Sequence, residues 1–343
     1  MVKVGIVGVG FMGKMHFNVY RGYPKAKVVA LADVDPVKRA GDWSRIGGNV
    51  EDKRAAKVDL SGIRVYSRAE DLLKDEDVDV VDITLPTFLH AKYAIAALKA
   101  GKHVICEKPM ALTLADCDKM MAAAAAAKRT LVIAHCIRFW PEWTVLKQII
   151  QSGKYGKVKA ARFYRMSLTP TWSWTNWLLD GKRSGGALVD LHIHDVDYVN
   201  YVFGVPKAVC SSGVVGGVSK TGINSVTTQY IYAKGPQVVA EAHWMAAPGF
   251  GFTHGFHAVL EGATIEFDSK SNTALTIHES TGKSLQPKKP ENDGYVTELR
   301  YFVDCIASGK KPTTVTAQDG RNALMVALAE DRSVRTRRPV VVG

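Results

Sequence analysis

Apolar positions open the chain as a run, 2–7, that ends in glycines and gives way to a segment of helical character over 12–20. A second apolar run covers 28–35, and Pro36 behind it suits the first turn of a helix with Asp35 as its cap. The same pattern predicts strands at 63–66, 78–86, 102–106 and 130–135, and helices at 69–74, 90–100 and 114–127. Gly101 is a sound stop for the helix over 90–100. Residues 47–61 are polar and charged and read as a surface excursion. The alanine run 122–127 reads as a good helix former packed closely on a sheet. Strands alternating with helices imply a parallel, doubly wound sheet.

Past residue 140 the rhythm changes. A helix over 141–151 stops at Gly153, and long segments of β character follow at 158–168, 208–218, 225–233, 237–245, 256–262, 263–268 and 274–280. A helix around 189–203 interrupts them, and two helices, 295–308 and 317–332, come last. The expected fold class is therefore α/β plus α+β. An N-terminal Rossmann-type doubly wound parallel sheet is followed by an open, mostly antiparallel β-sheet domain. The expected division is 1–128 and 129–343, with the last helix able to pack back on the first domain.

Candidate chemistry begins with "GVGFMG", which spaces Gly8, Gly10 and Gly13 as G-x-G-x-x-G between a strand and a helix. In that context the first glycine permits a tight turn, the second a close backbone approach to a pyrophosphate, and the third close helix–strand packing. The helix N-terminus meets the phosphate charge. Asp33 ends the second strand, where an acid hydrogen-bonds the adenosine ribose hydroxyls and repels a 2′-phosphate. That favours NAD over NADP. Asp35 is the rival acid, read here as a cap.

"VICEKPMALT" places Glu107, Lys108 and Pro109 where a buried strand ends. Ligands of open α/β sheets bind outside the carboxyl ends of strands. A lysine there can hydrogen-bond a reacting oxygen as its charge changes, and Pro109 restricts the backbone that aims it. A plain surface Glu–Lys pair is the competing reading. "SGGALVDLHIHDVDYV" carries Asp190, His192, His194, Asp195 and Asp197. On a regular helix Asp190, His194 and Asp197 share a face, while His192 lies about 160° from His194. Imidazole near neutrality can take a hydroxyl proton. Two histidines and three aspartates this close would also suit a metal.

Together these stretches resemble the Gfo/Idh/MocA family of oxidoreductases, named for glucose-fructose oxidoreductase and inositol dehydrogenase. The likeness is carried by "GIVGVGFMGKMH", "LADVD", "TLPTFLHAKYAIAALKAGKHVICEKPMALT", "SGGALVDLHIHDVD" and "LRYFVDCIASGKKPTTVTAQDGRNALMVALAEDRS", nearly the whole chain. The resemblance implies that Lys108 contacts substrate and nicotinamide ribose, and that Lys108, Asp190 and His194 carry catalysis. It also implies that Glu107, Phe11, Met12, Thr84, Leu85, Pro86 and His90 line the cofactor. Asp197 matches a second acidic position with an orienting or structural part, and the pattern requires no metal. The expected reaction is NAD-dependent hydride transfer at a secondary hydroxyl of a sugar, sugar derivative or cyclitol. Two rivals are NAD-assisted cleavage of a glycosidic bond through transient oxidation, and a sensor of sugar or NAD without catalysis.

On the substrate side, Trp172, Trp174 and Trp177 stand among Thr171, Ser173, Thr175 and Asn176, a mixture suited to a sugar ring with an apolar face and a polar edge. A packed aromatic lid reads equally well. Arg138 and Tyr295 are further candidates, and His257 a weaker one. Composition changes little: 47% hydrophobic and 23% charged residues describe an ordinary globular chain. The net charge of +12 suggests nucleic acid, but the basic residues are dispersed. The dense "RSVRTRRP" over 332–339 reads as a solvated helix end. No run is long and apolar enough for a membrane span, and no leader pattern opens the sequence. Five scattered cysteines at 106, 117, 136, 210 and 305 suit a reducing compartment. The expectation is a cytoplasmic homodimer or homotetramer associating through the C-terminal sheet, with no nucleic-acid partner.

Overall fold

The computed structural model describes residues 1–48, 56–271 and 274–343. They form two compact units: residues 1–135, 172–177 and 295–321 in one, and 136–171, 178–294 and 322–343 in the other. Most of the surface excursion expected at 47–61 lies outside the described residues.

In the first unit strands and helices alternate as β1 (Val2–Val7), α1 (Phe11–Arg21), β2 (Ala26–Ala32), α2 (Pro36–Arg39), β3 (Arg64–Tyr66) and α3 (Ala69–Leu73). The second half runs β4 (Val80–Ile83), α4 (Thr87–Lys99), β5 (His103–Glu107), α5 (Leu114–Ala127) and β6 (Leu131–Ala134). Among the described residues six strands pair in the order β3-β2-β1-β4-β5-β6, all parallel. Every residue of β4 and β6 is buried, as a parallel sheet covered on both faces requires. The order reverses between β1 and β4, so the loops leaving those two strands flank the crevice where such sheets take ligands.

Three expectations need correction here. β6 pairs with β5, so the strand beyond the 128/129 division belongs to the first sheet. β2 stops at Ala32, leaving Asp33 just outside it. The alanine run does not press on the sheet. α5 buries Cys117 and Met120, leaves Ala122, Ala125 and Ala126 exposed, and has α4 as its neighbour.

The first unit is completed by α9 (Gly294–Ser308), from Tyr295 onward, and by the first turn of α10 (Ala317–Thr336). Asp304 accepts hydrogen bonds from Tyr23 Oη (2.7 Å) and Lys25 Nζ (2.9 Å), and Arg321 Nε reaches Asp118 Oδ1 at 2.5 Å. The penultimate helix, rather than the last alone, thus packs back on the first unit, α9 at the turn between α1 and β2 and α10 at α5.

The second unit contains α6 (Pro141–Ser152), β7 (Val158–Leu168), α7 (Gly181–Ser184), α8 (Ile193–Phe203), β8 (Ala208–Val215), β9 (Ile223–Ile231) and β10 (Gln237–Ala246). Then come β11 (Thr253–Leu260), β12 (Ala263–Asp268), β13 (Thr276–Glu279), β14 (Ser284–Leu285) and, at the end of the chain, β15 (Val340–Val341). Among the described residues nine strands pair as β14-β13-β12-β11-β7-β10-β9-β8-β15. The pairing is antiparallel except at β7–β10, which run in parallel because the crossover through α8 returns the chain in its original direction.

Alternation along β10 buries one face and exposes the other. Under the buried face Trp143 packs edge-on to Tyr198 (4.7 Å between ring centroids) and Phe256 (5.1 Å). Two buried ion pairs fasten α8: Arg165 Nε to Asp195 Oδ2 at 3.0 Å, and Arg138 to Asp197 through Nε–Oδ2 (2.8 Å) and Nη2–Oδ1 (2.7 Å). At the C-terminal end of α10, Arg332, Arg335, Arg337 and Arg338 are exposed, the solvated helix end that the basic cluster suggested.

Candidate active site

Gly8 leaves β1 with φ +94°, in the left-handed region, and a Cβ there would meet Leu85 Cδ2 at 2.9 Å. At Gly13 a Cβ would lie 2.2 Å from Gly8 O, so only glycine lets α1 sit this close to β1. At Gly10 a Cβ would meet nothing within 4 Å, so the backbone there is open to a ligand. No side chain caps α1 and its first turn holds no acid, which leaves that end suited to an anion. Phe11 and Met12, in this first turn, are half-buried. Thr84 Oγ1 donates to Gly8 O at 2.5 Å and ties the end of β4 to the glycine loop.

Asp33 holds the same loop from the other side. Its Oδ2 accepts the Val9 N–H (2.7 Å) and its Oδ1 accepts the Asp35 N–H (2.8 Å). Asp35 Oδ1 in turn accepts the Val37 N–H at 2.9 Å, the cap expected of it. Asp33 is therefore the acid aimed at the loop. Open backbone at Gly10, an uncapped helix and an acid at the end of β2 fit a dinucleotide.

At the end of β5 the geometry goes beyond the sequence reading. Glu107 is buried; its Oε2 accepts the Lys108 N–H (3.0 Å), and its Oε1 lies 3.2 Å from Nε2 of His16 on α1. The other ring nitrogen of His16, Nδ1, is 2.8 Å from Asp82 Oδ2, which also accepts from Tyr20 Oη at 2.8 Å. Burial alone would lower the His16 pKa, but Asp82 and Glu107 outweigh it and push it up to about 10. Burial would raise the Glu107 carboxyl; the facing His16, with help from Lys108, holds it below its ordinary value instead. Lys108 is half-buried, and its peptide bond to Pro109 is cis. The sequence did hold a signal for this cluster: Asp82 is an acid inside an otherwise apolar strand, and such an acid needs a partner.

His90 is not positioned to touch a cofactor. It is 1% exposed, and its ring nitrogens each lie 2.8 Å from a carbonyl oxygen, Pro109 O and Leu85 O. It joins the loop after β5 to the half-buried Thr84–Leu85–Pro86 turn, and it is withdrawn from the cofactor-lining set.

In the second unit the helix expected over 189–203 is not uniform. Residues Leu188–His192 form a π-helical turn that runs into α8. Such wide turns are frequent at functional sites. Asp190 and His194 are half-buried while Leu191, His192, Ile193 and Asp195 between and beside them are buried, so those two present one side together. Asp197 does not continue their stripe: it is buried against Arg138. That pair occupies the guanidinium offered to substrate, whose other face lies over the Tyr201 ring, and Arg138 is withdrawn from the substrate set. His192 points elsewhere, as the helical angle predicts, with Nε2 3.4 Å from Glu330 and 3.3 Å from Tyr230 Oη.

The aromatic segment 172–177 belongs to the first unit. Trp177 packs edge-on to Phe88 at the start of α4, 6.5 Å between centroids, and Trp174 is 48% exposed. Thr175 and Asn176 adopt left-handed φ of 51° and 53°, a strained stretch for residues other than glycine. Tyr295, at the start of α9, is half-buried, and His257 is exposed on the second sheet. Among the described residues no three His, Cys, Asp or Glu side chains are grouped as metal ligands.

Comparison with known proteins agrees with this architecture. Residues 2–135 match the model of the oxidoreductase family with an NAD-binding Rossmann fold, and residues 143–266 match the GFO/IDH/MocA C-terminal domain. The chain is 26% identical over 351 residues to myo-inositol 2-dehydrogenase of Thermotoga maritima, covering 99% of this chain and 98% of that one. It is 31% identical over 367 residues to inositol 2-dehydrogenase of Salmonella typhimurium, covering 99% and 96%. The structure of a levoglucosan dehydrogenase in complex with NADH and levoglucosan shares the fold at a TM-score of 0.84, with 23% identity and 99% of each chain covered. The chain belongs to the Gfo/Idh/MocA family of oxidoreductases, and its first unit is the NAD-binding Rossmann domain of that family.

One outcome follows at the glycine loop. In G13A the new Cβ drives against Gly8 O, and overpacking of this kind costs about 1–3 kcal/mol. NAD affinity, read from quenching of tryptophan fluorescence, should fall accordingly. An unchanged dissociation constant would remove the loop from the cofactor site.

Proposed function

We propose that this enzyme moves hydride between a secondary hydroxyl of a sugar, sugar derivative or cyclitol and NAD, which it uses in preference to NADP. The observation that carries the reading is the Glu107–His16 contact. It joins the strand end that bears Lys108 to the helix opened by the glycine loop. That contact supports an assignment of Lys108 to the cofactor side of the sheet.

Bound NAD would supply the hydride acceptor. Gly10, Phe11, Met12, Asp33 and the Thr84–Pro86 turn would hold it. The remaining chemistry is that of side chains. His194 takes the hydroxyl proton, Asp190 orients the imidazole, and Lys108 stabilises the oxygen as it gains charge. Reduction of a ketone runs these steps in reverse. The half-buried Asp190 and His194, set among buried neighbours, support this assignment. The negative Asp33 carboxylate supports NAD, because a 2′-phosphate there would be repelled. Trp174, Trp177 and Tyr295 are the proposed sugar-facing side chains, with no metal in the scheme.

Inositol relatives make cyclitols the first substrates to try, with levoglucosan and free sugars beside them. The test is an absorbance screen at the NADH band with such a panel, run with NAD and with NADP. The expected result is NADH from at least one polyol and a much weaker NADPH signal. Tight NAD binding with no reduced cofactor from any polyol would overturn the reading. In H194N, kcat should fall by about 10²–10⁴ with NAD affinity kept, as for loss of a general base. Wild-type kcat would exclude His194.

Among the described residues no helix is long and apolar enough to cross a membrane. The five free thiols support a cytoplasmic setting. Exposed Val214, Val215, Ile231 and Met245 on the second sheet support association through that sheet as a homodimer or homotetramer. Light scattering on the purified protein reads the state.

A further inference from the structure

We propose that two buried histidines, His16 on α1 and His90 on α4, are positioning residues for Lys108, each gripping one of its two neighbours in the chain. The proposal rests on the reading that Lys108 acts on substrate. On one flank Glu107 takes the Lys108 N–H with Oε2 and faces His16 with Oε1. On the other flank the Pro109 carbonyl lies 2.8 Å from His90 Nδ1. The backbone of Lys108 is thus held from both sides, while the lysine itself remains half-buried.

The His16 grip is electrostatic as well as geometric. An ionised carboxylate accepts hydrogen bonds and donates none. Each ring nitrogen of His16 faces a carboxyl group: Asp82 on β4 and Glu107 on β5. With protons on both nitrogens the fully buried ring is an imidazolium set between two acids, the form that its raised pKa favours. Tyr20, one turn along α1, donates to the same Asp82 oxygen, and Glu298 on α9, itself 0% exposed, acts on Tyr20 from the remaining side. Lys108 and His90 are the other charged or titratable groups that act on Glu107. Removing one member of such a set leaves a buried charge without its partner. Glu107 would then lose its fixed orientation, and with it the Lys108 N–H. His90 has a simpler duty. Burial holds its pKa below its ordinary value, and a neutral ring has a single N–H; carried on Nδ1, that proton is donated to the Pro109 carbonyl, which leaves Nε2 beside Leu85 O without a proton to give it.

The test uses the full-length protein and the polyol that gives the strongest NADH signal. H16N and H90N should each lose about 10- to 100-fold in kcat, the usual result of a small misplacement at a reacting group, with NAD affinity within about twofold. In H16N the Glu107 carboxyl loses its cation, so the acid limb of the kcat–pH profile should move upward. H16N/E107Q, where a neutral amide oxygen can still accept the Lys108 N–H, should recover turnover relative to H16N alone. Native kcat and an unmoved acid limb in H16N, with only a lower melting temperature, would overturn the proposal. So would loss of NAD binding in step with kcat. If H16N does not fold, E107Q alone should lower kcat and native turnover there counts against it.

A separate measurement needs no turnover. In ¹⁵N-histidine spectra of the native protein one ring should remain doubly protonated up to pH 8, and D82N should shift it. Its absence would overturn the His16 grip even if K108A is inactive. If no polyol is turned over or K108A keeps native activity, the reading of Lys108 fails, while the spectra still decide the state of His16.

Discussion

K108A is expected to lower kcat by about three orders of magnitude while the protein still binds NAD. The size follows from removing the one group assigned to the developing alkoxide, since a single such donor contributes about 10²–10³ in rate and proton-transfer partners contribute comparably. The selectivity follows from where the residue sits. Lys108 lies just past β5, whereas the proposed dinucleotide cradle is Gly8, Gly10, Gly13 and Asp33, which follow β1 and β2. Its backbone N–H, which carries the bond to Glu107, is unchanged by the substitution. The measurement pairs NADH production at saturating polyol with a fluorescence titration of NAD. Wild-type turnover in K108A would falsify the mechanism.

The second large effect is on stability. Asp195 is fully buried on α8 and meets Arg165 of β7, which is 2% exposed; Nε–Oδ2 is 3.0 Å and Nη2–Oδ1 is 3.2 Å. The guanidinium also faces the rings of Trp140 and Trp143, 5.6 and 5.7 Å from their centroids. D195A removes the anion and leaves the cation in an aromatic interior, which costs about 3–5 kcal/mol. Removing both charges together, as in R165M/D195L, should recover much of the loss because an apolar pair of similar volume needs no partner. Urea denaturation followed by tryptophan fluorescence reads this as a lower midpoint at similar slope. A midpoint within error of the native one in D195A would mean that the pair holds nothing together.

Much of the first unit could be read directly. β1 runs into Gly8, β2 into Asp33 and β5 ends on Glu107, each an apolar stretch with its own closing residue, and α4 carries its stop at Gly101. The glycine loop was legible because Gly8 and Gly13 answer local demands of the backbone and Gly10 keeps it open. The second sheet was legible as strands but not as a pairing: nothing within β7 or β10 records that they run parallel, since direction is set by the crossover between them. The π turn at Leu188–His192 was hidden because a face count assumes 3.6 residues per turn, and one wide turn shifts everything behind it. Asp197 was grouped with His194 because positions three apart adjoin on a helix, and spacing does not record that the buried Arg138 takes that carboxylate. Arg138 was misread for a related reason: an arginine looks equally ready for substrate or for an acid that lies 59 positions away. The His16 cluster joins residues from α1, β4 and β5, so only the folded sheet assembles it.

The dinucleotide unit begins at the first residue but is finished by residues 295–321, among them the buried Glu298, Leu299, Phe302 and Val303. On the ribosome its six strands emerge early and wait. Eight of the nine strands described in the second sheet must be synthesised before α9 leaves the exit tunnel to cover them. The usual order, in which an N-terminal domain folds before the next is made, is therefore unavailable to this chain. A chain cut between residues 294 and 308 would keep most of the second sheet and lose the helix that closes its first-made portion.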